Sequence, residues 1–231
     1  MKIIFNSLKA AALIVLVMIF NVVPMVLLQR QNDMPLSLKW TVGLAYLVTV
    51  VVSLTLLWHI YQRKQDETIK NQKMVLSDWG YLALFWVIAR AIVVIGTLIN
   101  QAWSGQQVSA NDAALQTLSG FMKNGFPLYT FLFIFVISFT APVMEEMVFR
   151  GFPMIYFFKG RSAILGALVT SLIFSLPHST NVVEFIMYAC MGLVFFTAYH
   201  RRGNLIDSIL LHIFNNFPAS IALLLTGLGV L

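Results

Sequence analysis

The sequence predicts an all-α fold, a polytopic membrane bundle of about eight transmembrane helices, and three observations carry that prediction. Of 231 residues 59% are hydrophobic and 10% charged, against roughly 25% charged in an ordinary soluble domain. The apolar residues fall in runs close to the ~20 needed to cross a bilayer as helix. The Lys and Arg residues between those runs form short blocks, which read as topology signals, so the net charge of +6 implies the lipid bilayer and not nucleic acid as a partner.

Spans are expected at 8–28, 38–61, 79–100, 126–148, 163–176, 182–199, 205–217 and 218–231. The first follows Lys2 and Lys9 as a signal peptide would, but it runs on to Leu28 without a small-residue cleavage site and is expected to stay as a span. Trp40, Trp58, Trp79 and Trp103 mark the ends of the second and third spans, because amphipathic rings favour the interface. The polar stretch 101–125 then reads as a surface loop. The last four spans follow closely on one another, and the seventh and eighth meet at Pro218. No repeat, low-complexity tract or linker divides the chain, so residues 1–231 are expected to form a single membrane domain. Cys190 is the only cysteine, which excludes an intrachain disulfide and a cysteine metal cage.

On this count Lys2, Lys9, Arg63, Lys64, Lys70, Lys73, Arg150, Lys159, Arg161, Arg201 and Arg202 fall on one side of the membrane. Arg30, Lys39 and Lys123 fall on the other. The positive-inside rule then predicts an integral membrane protein with both termini cytoplasmic.

An ionisable group at membrane depth costs about 2.5–3.5 kcal/mol at a helix centre, so each needs a partner or a function. Four places stand out. In the fourth span, Glu145 and Glu146 point about 100° apart on a helix. Arg150 lies four residues after Glu146 and can pair with it, which leaves Glu145 to face another partner. In the fifth, Pro177 loosens the backbone beside His178. In the seventh, His212 and Asn216 share a helical face. Arg90 in the third span has no local acid; it either neutralises a carboxylate from another helix or sits in a polar gap. A buried ion-pair network that only joins helices would account for the glutamates, and each histidine alone could be structural. Taken together, a carboxylate base, two imidazoles and a carboxamide are what water activation and oxyanion stabilisation require. HExxH and Gly-x-Ser-x-Gly motifs are both absent from the sequence. His59, His200, Glu184 and Asp207 lie near span ends and are left outside the site.

Glu145-Glu146-x-x-x-Arg150, Phe174-x-x-x-His178 and His212-x-x-x-Asn216 resemble the three motifs of the CAAX protease and bacteriocin-processing (CPBP, or Abi) family of intramembrane proteases. The resemblance covers 126–217, the expected catalytic core helices, and implies an eight-helix membrane fold. It implies Glu145 as general base, His178 holding the attacking water, Glu146 supporting them with Arg150, and His212 and Asn216 facing the oxyanion; Phe174 belongs to the second motif. The family is regarded as metal-dependent, with Zn2+ the usual assumption, while a metal-free glutamate mechanism has also been put forward. If a metal binds, Glu145, His178 and His212 are its expected ligands with a fourth position for water, and Glu146 becomes the base. The expected substrate is a membrane-associated peptide or protein cut near the cytoplasmic face of a bacterial cell membrane, with bacteriocin self-immunity or peptide maturation as the role. A catalytically inactive immunity or scaffold protein is the competing reading. A small transporter would need a pore or inverted repeats, and the two halves carry no matching pair of broken helices.

Overall fold

The computed structural model describes residues 1–159 and 162–230; Arg161 and Leu231, used above, lie outside the described residues. Helices α1 (Lys2–Arg30), α2 (Leu36–Gln62), α3 (Glu67–Lys70), α4 (Leu76–Ser104) and α5 (Ala110–Ser119) come first. They are followed by α6 (Pro127–Tyr156), α7 (Ala163–Ser175), α8 (Val182–Arg202) and α9 (Leu205–Leu228). Among the described residues there is no strand. Among the described residues six helices are long and apolar enough to cross a membrane, and α7 with its 3-10 extension Leu176–His178 is a shorter apolar one. The all-α membrane bundle expected from the sequence is what the chain forms.

One boundary differs. The stretches 205–217 and 218–231 are not two spans, because α9 runs through Pro218 without a break. Proline lacks the N–H that would bond the carbonyl four residues back, here Phe214. The indole of Trp86 on α4 donates to that carbonyl at 3.0 Å, so the helix continues where it would otherwise expose an unpaired group to lipid. The same device operates in α1, where Pro24 frees the Phe20 carbonyl and the Tyr46 hydroxyl on α2 donates to it at 2.7 Å.

Joining those two spans corrects the expectation that both termini share one face. Near the N-terminus, Asn6 donates to the Tyr156 carbonyl at 3.2 Å, beside the loop that leaves α6. At the other end of the chain Gly229 lies against Lys123, in the loop before α6. The termini therefore sit on opposite faces, with the N-terminal end on the basic one. Arg150 also leaves the set of topology charges, since its side chain is fully buried. Arg201 and Arg202 are bound up with Asp78 and Asp207 at 2.6–3.3 Å, clamping α8 to α4 and α9.

Helix α6 carries both carboxylates on the turn Ala141–Glu146, between π segments Val136–Thr140 and Met147–Gly151. Each π turn adds a residue to the helical repeat and re-aims the side chains after it, a distortion frequent at functional sites. Helices α7 and α8 cross at Gly192, where an added Cβ would lie 2.8 Å from Cβ and 2.9 Å from Cα of Ser171. Close backbone approach of this kind is how membrane helices associate without a hydrophobic drive between them. Gly192→Val is expected to cost about 1–3 kcal/mol through overpacking, read as a lowered thermal unfolding midpoint in detergent. An unchanged midpoint would mean that α7 can shift freely.

Candidate active site

The two adjacent glutamates do divide their partners. Glu146 and Arg150, both fully buried, pair at 2.9 Å. The guanidinium also donates to the Gly192 carbonyl at 3.3 Å and lies 4.3 Å from the centre of the Phe174 ring. The close α7–α8 crossing is thus also what brings that carbonyl within reach. The same Glu146 oxygen accepts from Nδ1 of His212 at 2.9 Å. Glu146 therefore stands behind His212, not in the open site. Its other oxygen and Nε of Arg150 are buried and find no hydrogen-bond partner among the described residues.

Glu145 faces the other way. Its Oε1 accepts from Nδ2 of Asn21 on α1 at 2.8 Å. Its Oε2 lies 3.7 Å from Nε2 of His178 and 3.8 Å from Nε2 of His212. Both rings are fixed from behind, because Nδ1 of His178 faces the Phe174 carbonyl at 2.8 Å while Nδ1 of His212 faces the Glu146 carboxylate. A carbonyl and a carboxylate can only accept, so each Nδ1 carries a proton, and in the neutral form of each ring Nε2 presents a lone pair. Three acceptor atoms from three helices thus converge without bonding one another directly. A molecule that donates two hydrogens satisfies such an arrangement; among the described residues no group of three His, Cys, Asp or Glu side chains is placed to hold a metal ion. Phe174 forms its wall, with ring centres 4.6 Å from His178 and 5.9 Å from His212, and Phe195 stacks on His212 at 4.5 Å.

Asn216 completes the set through a third proline. In the π segment Ala141 bonds to Val136 five residues back, so the next donor in that register would be Pro142, which has none. The carbonyl this frees is that of Ile137, and Nδ2 of Asn216 donates to it at 3.1 Å. Asn215 in turn donates to Oδ1 of Asn216 at 3.1 Å, and Arg90 donates to Oδ1 of Asn215 at 3.2 Å. Of the two readings left open for Arg90, this is a polar relay to the third motif. The loop helix α5 lies nearby: burial pushes the Asp112 carboxyl up, and the Ser109 hydroxyl and the Arg90 charge draw it back.

The sequence-predicted residues Glu145, Glu146, Arg150, Phe174, His178, His212 and Asn216 are therefore gathered in one place. Asn21 is not among the sequence-predicted residues, because the cost of an ionisable group at membrane depth that singles out Arg90 does not extend to an uncharged carboxamide. Glu184 and Asp207 stay outside. Glu184 accepts from the Ala110 and Thr180 amides at 2.7 and 2.8 Å and so pins α5 to α8.

Fold and site together define a polytopic helical membrane protein with a buried carboxylate–imidazole centre. Residues 127–218 match the family of Rce1-like type II CAAX prenyl endopeptidases. The chain is 31% identical over 160 residues to the membrane-embedded CAAX protease MroQ of Staphylococcus aureus (strain USA300), an alignment covering 66% of this chain and 60% of that protein. It is 24% identical over 209 residues to the UPF0177 protein YajF of Lactococcus lactis subsp. lactis (strain IL1403), covering 88% of this chain and 97% of that one. An uncharacterized 24.3 kDa protein of Escherichia coli is 38% identical over 90 residues, 37% of this chain and 40% of its own length. No solved structure gives a significant match. The segment that supplies Glu145, Glu146, His178, His212 and Asn216 lies within the family match, and these likenesses support the CPBP/Abi type that the motifs implied.

Proposed function

We propose that the chain is an intramembrane endopeptidase that hydrolyses a peptide bond of a membrane-associated peptide or protein near the cytoplasmic face. The observation that carries this reading is the convergence of Glu145 Oε2 with the Nε2 atoms of His178 and His212. A water seated there donates its hydrogens to Glu145 and His178 and keeps a lone pair for the scissile carbonyl. Glu145 takes the proton as the C–O bond forms and returns it to the departing amine as the C–N bond breaks. Asn216 has a second Nδ2–H beyond the one given to Ile137. In its charged form, balanced by Glu146, His212 offers an Nε2–H in place of that lone pair, and the two N–H groups would receive the oxyanion. Glu146 and Arg150 act as positioning residues through His212.

The residue types are those of a divalent-metal site, and Glu145, His178 and His212 would hold the ion if they drew closer together, with the Glu146 and Phe174 contacts fixing the imidazoles from behind as metal-bound histidines require. Bound Zn2+ would polarise the carbonyl and acidify water. Glu146, paired with Arg150 and set behind His212, is poorly placed to be the base in that form. The relatives named above come from bacteria, which supports a bacterial cell membrane as the location and peptide maturation or bacteriocin self-immunity as the role.

The test is cleavage of a membrane-peptide library by the purified protein in lipid, wild type against His178→Ala, with bound metal assayed on the same samples. Products lost by at least about 10²-fold in the variant are expected. A folded wild type that cleaves nothing, or a variant that cleaves as well, points instead to an inactive scaffold. Asn21→Leu leaves Glu145 without its fixed donor and is expected to lower turnover about 10- to 100-fold, the usual cost of losing a supporting contact, with little change in unfolding midpoint. A full-rate variant would remove Asn21 from the site.

A further inference from the structure

A cavity of about 310 Å³ opens between α1 and α7, over a floor made by the C-terminal part of α6. Ala10 and Ile14 form one wall, Val148, Phe149 and Pro153 the floor, and Ile173 lies on the α7 side. Its volume is at the lower end of the roughly 300–1,000 Å³ of small-molecule sites and has room for an alkyl chain but not for a polar head as well. Thr170, on the cavity wall, has a buried hydroxyl with no hydrogen-bond partner.

Two lysines border the cavity without lining it. Lys9 adjoins Ala10 in sequence, and Tyr156 adjoins the lining residue Phe157. The Lys9 ammonium lies 4.1 Å from the centre of the Phe5 ring and 5.9 Å from that of Tyr156, and the Lys64 ammonium lies 5.6 Å from the same Tyr156 ring, so two cations from α1 and the end of α2 share one aromatic. Neither has a carboxylate partner among the described ion pairs. Both belong to the basic face, where a bilayer presents its anionic headgroups when that face is cytoplasmic. We infer that this is a binding site for an anionic phospholipid, one acyl chain in the α1–α7 cavity and the phosphate between Lys9 and Lys64. An apolar cavity and, beside it, two cations without a carboxylate partner among the described ion pairs match the two halves of such a ligand. The chain end would rest against Phe149, whose ring meets Phe174 at 5.5 Å. The inference stands independently of the peptidase reading.

The test measures binding, not activity. Detergent-purified protein is titrated with dioleoyl phosphatidylglycerol or dioleoyl phosphatidylcholine, following the unfolding midpoint and, by native mass spectrometry, bound lipid. Phosphatidylglycerol is expected to raise the midpoint and phosphatidylcholine to leave it unchanged. At about 1 kcal/mol per basic residue near anionic lipid, the double variant Lys9→Gln/Lys64→Gln should bind phosphatidylglycerol about thirtyfold more weakly. Ala10→Leu, which fills the cavity, should lose it as well. The control Arg63→Gln/Lys73→Gln removes the same charge from the same face and should bind as wild type. The inference is overturned if the control loses as much as Lys9→Gln/Lys64→Gln, which would mean general surface attraction. It is also overturned if both lipids stabilise equally, which would assign the cavity to an apolar side chain of a substrate.

Discussion

Glu145→Gln is expected to fold as wild type and to cleave about 10²- to 10⁴-fold more slowly, the range for loss of a positioned general base. The carboxamide keeps the same shape, and its oxygen can still accept from Asn21, which holds the native carboxylate at 2.8 Å. Its NH₂ then turns toward the Nε2 lone pairs of His178 and His212, where Glu145 Oε2 stands 3.7 and 3.8 Å away in the wild type. A donor replaces an acceptor at the one place where a proton must be received. The variant should therefore show an unfolding midpoint at or above that of wild type together with abolished turnover. Loss of both would make Glu145 a structural residue, and retention of both would sink the proposed mechanism.

Arg150→Met is expected to have the largest effect on stability. It leaves Glu146 buried without its cation, and breaking one side of a buried ion pair costs about 3–5 kcal/mol. It also removes the donor to Gly192 and the guanidinium over Phe174, so α6, α7 and α8 lose a shared tie. Low yield and a strongly lowered midpoint are the measurable signs. The double variant Arg150→Met/Glu146→Leu should recover much of that midpoint, because it removes the stranded charge, yet should stay inactive because His212 has lost the carboxylate behind Nδ1. Failure of the double variant to recover would mean that the cost lies in packing and not in uncompensated charge.

Much of this molecule is legible in its sequence, for reasons that can be stated element by element. The helical membrane class follows because lipid offers no hydrogen bonds, so apolar runs of sufficient length must be helices. The Glu146–Arg150 pair follows from a four-residue spacing, and the site residues follow because charge at membrane depth is too costly to be incidental. The errors are as physical. Pro218 reads as a boundary only if its missing bond is assumed to go unsatisfied, and Trp86, 128 residues away in sequence, supplies the replacement. That one contact sets whether the C-terminus returns to the basic face. Asn21 escaped notice because asparagine carries no charge, and its function appears only when α1 is packed against α6.

The sequence by itself determined the solvent in which the chain folds, the helices it must use and the residue types available for chemistry, since all three depend on local composition and spacing. Only the tertiary structure decided that Glu145 faces both imidazoles while Glu146 stands behind one of them, and that three prolines are completed by Tyr46, Trp86 and Asn216. Those outcomes depend on contacts between segments distant in sequence, where ångström-scale direction and not composition decides which group meets which.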